Sequence, residues 1–394
     1  MVASGIVAGA AVGAWAANRL RPSDQPTPTP ETDHRLIDWE HARSIAINMN
    51  RSASLTSVER QRLDAYYREL VAQAIPVVER YVGIALPNAA VSTHAFDRVD
   101  WINANIDAFR EMLAPFEALA QDESNKNPAS QMLAGLNRRV VSLEVGVLLG
   151  YLSRRVLGQY DIALLGREQI EGGRLYYVEP NIRHIESSLG LPENDFRMWL
   201  SLHETTHVFE FEGFPWVRPC FNDMLEEYFG YLKDDAALLG QGLKNLKIFV
   251  ERARTGDANT SWIEHLMNEK QRELFNRMQT MMSVIEGYSN HVMNAVGREL
   301  LANYEPISRK FEYRQSHRSQ AELLFAKLTG LDVKMEQYRL GEQFIDTIAE
   351  RRGHAFAVQV WDGPEMLPSP EELRNPELWI QRVDRSREEA VAAF

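Results

Sequence analysis

The chain has 394 residues, 45% hydrophobic and 25% charged, a composition that excludes a disordered or fibrous protein and predicts a sizeable packed core. A formal net charge of −12, from 55 acidic and 43 basic residues, speaks against a surface built to neutralise phosphates, so no nucleic-acid partner is expected. Cys220 is the single cysteine, which rules out an intrachain disulfide and a multi-cysteine metal centre and leaves His, Asp and Glu to hold any metal.

Residues 1–20 read as an apolar N-terminal helix: Met1 to Asn18 carry no charge, and Gly5, Gly9 and Gly13 recur every four residues. The run is short for a bilayer and rich in Ala and Gly, so a surface-docked helix and a cytoplasmic protein are expected. Membrane association through this segment is the alternative. Residues 21–34 form a proline-rich linker around RPSDQPTPTPET. From 35 to 157 apolar residues recur at three- and four-residue spacing, as in Leu63, Tyr66, Tyr67 and Leu70, predicting a helical N-terminal region. Val145 to Leu152 is too short to span a membrane and is expected in the core. Residues 158–394 form the catalytic region. A strand is predicted at Arg174–Val178 (RLYYV) and a weaker one at Ala355–Val360, with a long helix from Trp262 to Leu301.

The stretch 191–216, LPENDFRMWLSLHETTHVFEFEGFPW, carries the chemistry. Pro192, Glu193 and Asp195 suit a helix start, while Gly213 and Pro215 suit its stop. Phe196, Trp199, Leu200, His203, His207 and Phe211 fall on one stripe, so the two imidazoles sit one turn apart on the buried face. Two His at i and i+4 can direct ring nitrogens at one zinc ion without bending the backbone. Glu204, next to the first His, can then act as general base toward the water that zinc acidifies. The bland reading is two core histidines and a surface acid, but a chance HExxH seldom coincides with a capped amphipathic helix.

For the third ligand, the metzincin pattern is excluded because Glu210 and Gly213 occupy the positions it gives to Gly and His. Spacing nominates Glu226 or Glu227. Glu286 on the long helix is a further candidate, with Gly287 beside it expected to let that helix approach the HExxH helix closely; the alternative there is a Glu paired with an Arg.

At this point the sequence resembles the zincin-like metallopeptidase family, formerly a domain of unknown function and labelled "putative hydrolase, coenzyme F420 biosynthesis associated". The likeness spans most of the chain and rests on VLGQYDIAL (156–164), YYVEPNI (176–182), LHETTHVFEFEGFPWVR (202–218), IEGYSNHVMNAVG (285–297), KMEQYRLGEQFI (334–345) and WDGPEMLPSPEELRNPELWIQRV (361–383). The resemblance implies Zn2+ held by His203, His207 and Glu286, with Glu204 as general base. The chain departs from it at Tyr288, where His is expected in many relatives, and at Asn294, where Asp is expected. Tyr288, Tyr228 and Tyr177 are candidates for a supporting or oxyanion-stabilising phenol, although packing is the more ordinary role of each. His291 is a weaker ligand candidate. RLYYV is, by analogy, a candidate edge strand for an extended peptide.

The expected fold is mainly α: a zincin-like metallopeptidase core with a small β-sheet and helical N- and C-terminal regions. The expected activity is zinc-dependent hydrolysis of an amide bond in a peptide or small amide substrate, with no further cofactor. The alternatives are a catalytically silent zincin-fold binding or scaffold protein, and a small-molecule amidohydrolase.

Overall fold

The computed structural model describes residues 37–50, 54–86, 91–124, 128–160, 173–234, 268–316 and 331–392. The predicted helix at 1–20 and the linker at 21–34 lie outside them. Helix α1 (Trp39–Asn48) starts at Asp38, whose side chain accepts from the backbone N–H of His41. Helix α2 (Ser57–Val82) starts with a capping box between Thr56 and Glu59 and stops at Gly83, whose φ of 78° is left-handed. Strand β1 (Ser92–Phe96) follows, then helices α3 (Arg98–Ser124) and α4 (Pro128–Leu152). Helices α1, α3 and α4 enclose the smaller of two cores, around Trp39, Trp101, Ile102, Ile106 and Leu149. The expected burial at Val145 to Leu152 is realised in Leu148, Leu149 and Leu152.

Strand β2 (Gly158–Tyr160) and strand β3 (Arg174–Val178) complete a three-stranded sheet ordered β1-β3-β2. Strand β3 runs parallel to β1, pairing Tyr177 with Ala95, and antiparallel to β2, pairing Tyr177 with Gly158. The strand expected at RLYYV therefore exists, but it is central, and β1 and β2 are the edges among the described residues. The reason is visible in its side chains: Leu175, Tyr176, Tyr177 and Val178 are all buried, as suits a strand covered on both faces. Leu175 and Tyr177 face the larger core and Val178 the smaller, so the sheet lies between the two. Strand β1 interrupts a region expected to be wholly helical, and through it and α2 that region shares the larger core.

After β3 come α5 (Glu179–Leu189), α6 (Glu193–Val208), a π-helical turn (Phe209–Gly213) and α7 (Val217–Asp234). Next is α8 (Glu269–Leu300), the long helix predicted from residue 262; its described part starts with a capping box between Asn268 and Gln271. Helices α9 (Tyr304–Ser316) and α10 (Leu331–Arg352) follow, then the short α11 (His354–Ala357), α12 (Pro370–Arg374) and α13 (Pro376–Ala392). The strand expected at Ala355–Val360 is instead α11 and a 3-10 turn at Val358–Trp361. Phe356, Ala357, Val360 and Trp361 are buried there, a helical spacing rather than an alternation.

Helices α8 and α10 cross backbone to backbone. A Cβ on Gly287 would lie 2.2 Å from the carbonyl carbon of Gly341, and one on Gly341 would lie 1.8 Å from the Ser283 carbonyl oxygen. The close approach expected of Gly287 toward the HExxH helix is thus made toward α10 instead. Among the described residues, no helix is long and apolar enough to cross a membrane.

Candidate metal centre and active site

Helix α6 starts after Pro192, with Glu193 and Asp195 in its first turn. Asp195 accepts from the backbone and side-chain nitrogens of Asn303, tying this end to the start of α9. Arg197, 2% exposed, lies between α6, α5 and α2. It donates to both carboxylate oxygens of Glu179 and of Glu186, at 2.7 to 3.1 Å, and to the Tyr67 hydroxyl at 3.0 Å. The helix was expected to bury one stripe. It is instead buried on all sides from Phe196 to Val208, except at half-buried His203.

The imidazoles of His203 and His207 are 4.8 Å apart between centroids and nearly perpendicular, at 83°. Helix α8 brings Glu286 to them, its Oε2 3.9 Å from His203 Nε2. One ligand atom from each of the three residues lies within 4.8 Å of the other two. Two ligands about 2.0–2.1 Å from a tetrahedral zinc are roughly 3.3 Å apart, so a modest contraction closes the site. Two imidazoles and a carboxylate are a donor set suited to that ion. The His203 side chain is 18% exposed and that of Glu286 13%, so the group opens toward solvent on this side. Burial depresses the pKa of both imidazoles, and that of His207 is lowered further by the charge of His203. Both rings are therefore neutral, the form that ligates, at neutral pH.

Glu204 is buried between the metal group and the sheet. A Cβ at Gly158 of β2 would fall 2.3 Å from its Oε1. Burial pushes its pKa up to about 8, and the nearby Glu286 carboxylate adds to the rise. His207 turns Nδ1 away from the ligand group, 2.7 Å from Glu210 Oε2 and 2.9 Å from Ser289 Oγ. Thr206 Oγ1 bonds back to the Leu202 carbonyl oxygen at 2.9 Å, as its place in the helix suggested.

The remaining candidates do not join the ligand group, although the buried Tyr177 hydroxyl feels the Glu204 carboxyl and that of Tyr288 the Glu210 carboxyl. Glu226 and Glu227 are exposed on α7, and Glu227 accepts from the Tyr231 hydroxyl. His291 bonds the Tyr81 hydroxyl at 2.9 Å and Asp346 at 2.5 Å, away from the ligand group. Tyr177 is fully buried and stacks on Tyr67 at 3.9 Å; Tyr288 is fully buried with its ring edge-on to Trp361. Tyr228 is buried near Phe275, and burial raises its pKa to about 12. All three phenols pack inside the protein rather than at the open side of the site. Glu210, Ser289 and Gly158 were not singled out as site residues from the sequence. Glu210 carried a signal, an acid three residues after His207 on the buried side of the helix, whereas Gly158 stood only within the VLGQYDIAL stretch of the resemblance, with nothing to tie it to Glu204.

A buried helix bearing HExxH, a carboxylate delivered by a later helix and a small sheet beside Glu204 define a zincin-like protein. The chain belongs to the zincin-like metallopeptidase family, whose model matches residues 37–380. It is similar to a protein of Chloroflexus aurantiacus whose crystal structure is described as "a putative hydrolase with a novel fold". The two are 38% identical, with a TM-score of 0.65, over 89% of this chain and 99% of that one. No curated protein matches the chain. Family and neighbour together support a hydrolase.

Proposed function

We propose that the protein is a zinc-dependent hydrolase that cleaves amide bonds, with a peptide as the default substrate. The observation that carries this reading is the convergence of His203, His207 and Glu286 within 4.8 Å, with a buried carboxyl, Glu204, beside them. His203 and His207 would hold the ion as neutral imidazoles, and Glu286 would offset part of its charge. Zinc, when bound there, supplies a Lewis acid and brings the pKa of a water to ~7.

Glu204 takes a proton from the attacking water and delivers it to the amide nitrogen as the C–N bond breaks. A carboxyl with a pKa near 8 is a poor base at neutral pH. With a cation held by His203, His207 and Glu286, Glu204 would feel less of the Glu286 charge and would ionise more readily as a base. A silent scaffold has no use for Glu204, whose burial beside a second carboxylate costs stability.

Metal analysis of the purified protein, with a peptide-library cleavage assay on wild type and Glu204→Gln, tests the proposal. Stoichiometric zinc in both and cleavage by wild type alone are expected. Equal turnover by the variant would reject Glu204 as the base, and wild type without zinc would reject the metal.

A further inference from the structure

The sequence pattern used Glu210 only to exclude one class of metal site, but the structure puts this residue to a different use. Glu210 is 0% exposed, on the π-helical turn that begins two residues after His207. Its Oε2 is 2.7 Å from His207 Nδ1. Ser289, also 0% exposed, stands over the contact from α8: its Oγ is 2.9 Å from the same Nδ1 and 3.1 Å from each Glu210 oxygen. The single Ser289 hydroxyl proton has two alternative acceptors, the Glu210 carboxylate and the Ile285 carbonyl oxygen at 2.9 Å. Among the described residues, the side chains that hydrogen-bond Glu210 are those of His207 and Ser289. A buried carboxyl without Arg or Lys beside it is costly, and a chain needing only shape there would carry an apolar residue or an amide.

We infer that Glu210 and Ser289 are positioning residues for His207, acting through its ring on the metal. The inference rests on the zinc-hydrolase reading above. The Glu210 carboxylate accepts the Nδ1–H of His207, which fixes the tautomer whose Nε2 lone pair is free to ligate. The same contact sets the plane of the ring and makes Nε2 a stronger donor. Ser289 keeps the carboxylate in place, and it lies one turn from Glu286 on the same helix. Helix α8 therefore supplies one ligand directly and locks a second, so the two halves of the ligand set move together. This also accounts for the acid at a position where HExxH proteins of the metzincin pattern carry glycine.

The test measures zinc affinity by chelator competition and the visible spectrum of the cobalt-substituted protein. It compares wild type, Glu210→Gln, Glu210→Ala and Ser289→Ala, with melting of each metal-free form as a control. Glu210→Ala is expected to bind zinc about 10- to 100-fold more weakly and to alter the cobalt spectrum. Glu210→Gln keeps the volume and an acceptor carbonyl; it should restore the cobalt spectrum while remaining about tenfold weaker for zinc. Ser289→Ala should shift affinity in the same direction by less. If Glu210→Ala does not fold, the two volume-preserving variants decide the matter. Wild-type zinc affinity in Glu210→Gln and Ser289→Ala overturns the positioning role. Failure of the wild-type protein to bind zinc at all overturns the hydrolase reading itself, an outcome distinct from tight binding that the variants leave unchanged.

Discussion

Gly158 and Glu204 are in such close contact that a methyl group on the glycine would lie 2.3 Å from Glu204 Oε1 and 2.7 Å from its Cγ. Because the carboxyl is buried, it has no solvent to swing into. Gly158→Ala is therefore expected to push the Glu204 carboxyl out of line while leaving both imidazoles and Glu286 where they are. Hydrolysis should fall by on the order of 10²-fold, the penalty of misplacing a reacting group by about an ångström, with zinc content unchanged. Paired metal analysis and turnover measurements check this; a fully active, zinc-loaded variant would show that β2 does not set the base.

The glycine crossing of α8 and α10 makes a second prediction. A Cβ on Gly341 would meet the Ser283 carbonyl oxygen at 1.8 Å, and backbone cannot rotate away as a side chain can. Gly341→Ala must separate the helices, at a cost of about 3 kcal/mol, the upper end for overpacked cores. Ser283 is one turn before Glu286, so the separation should also move a ligand. Urea unfolding should show the lost stability and chelator competition a weaker zinc site. Unchanged values of both would mean that the crossing relaxes without reaching the site.

Much of the site was legible because its spacing is written within single helices. His203, Glu204 and His207 share two turns of α6, and the amphipathic pattern around them identified the helix before any coordinates. Spacing alone left Glu286 one of several acids, because no spacing within one element connects residue 286 to residue 203, and only the family resemblance singled it out. The strand beside Glu204 was invisible for another reason. Strand β2 is three residues, Gly158, Gln159 and Tyr160, too short to show alternation and beginning with a residue that has no side chain. The opposite error occurred at Ala355–Val360, where β-branched and aromatic residues suggested a strand. Gly353 at φ 86° follows the end of α10, and the chain winds on as helix.

Arg197 is expected to be the electrostatic pin of the active helix. It is the cation shared by Glu179, itself 0% exposed, and Glu186, and Arg183 reaches Glu179 from the half-exposed side at 2.7 Å. Arg197→Met removes the buried charge but leaves the Glu179 carboxylate inside, so a loss of about 3–5 kcal/mol is expected. Adding Glu179→Gln should recover part of that loss, since the stranded charge is then gone. Unfolding of the metal-free single and double variants measures both. A double variant as unstable as the sum of the singles would place the cost in packing and not in charge.

The pH dependence of the metal-free protein follows from the same burial. His203 and His207 have depressed pKa values, so their effect on stability is confined to pH below the ordinary imidazole value of about 6.5, where the unfolded chain takes up protons that the native rings refuse. Glu204, raised to about 8, acts in the other direction. Between its unfolded value of 4.5 and about 8 the native state holds a proton that the unfolded state has lost, so stability falls as pH rises. Glu210, whose carboxyl burial also raises in the metal-free protein, adds to the fall, and it is with the ion bound that it stands as the carboxylate accepting the His207 Nδ1–H. From pH 6.5 to 8 the opposing effect of the imidazoles fades as the unfolded rings lose their protons, while each buried carboxyl contributes a slope of at most about 1.4 kcal/mol per pH unit. The metal-free protein should therefore melt lower at pH 8 than at pH 6.5, with a shallower decline in Glu204→Gln. A zinc ion favours the ionised carboxylates and should flatten the wild-type curve as well. A metal-free wild type that gains stability over this range, or a variant that declines as steeply, would contradict the burial of a proton-holding Glu204 beside Glu286.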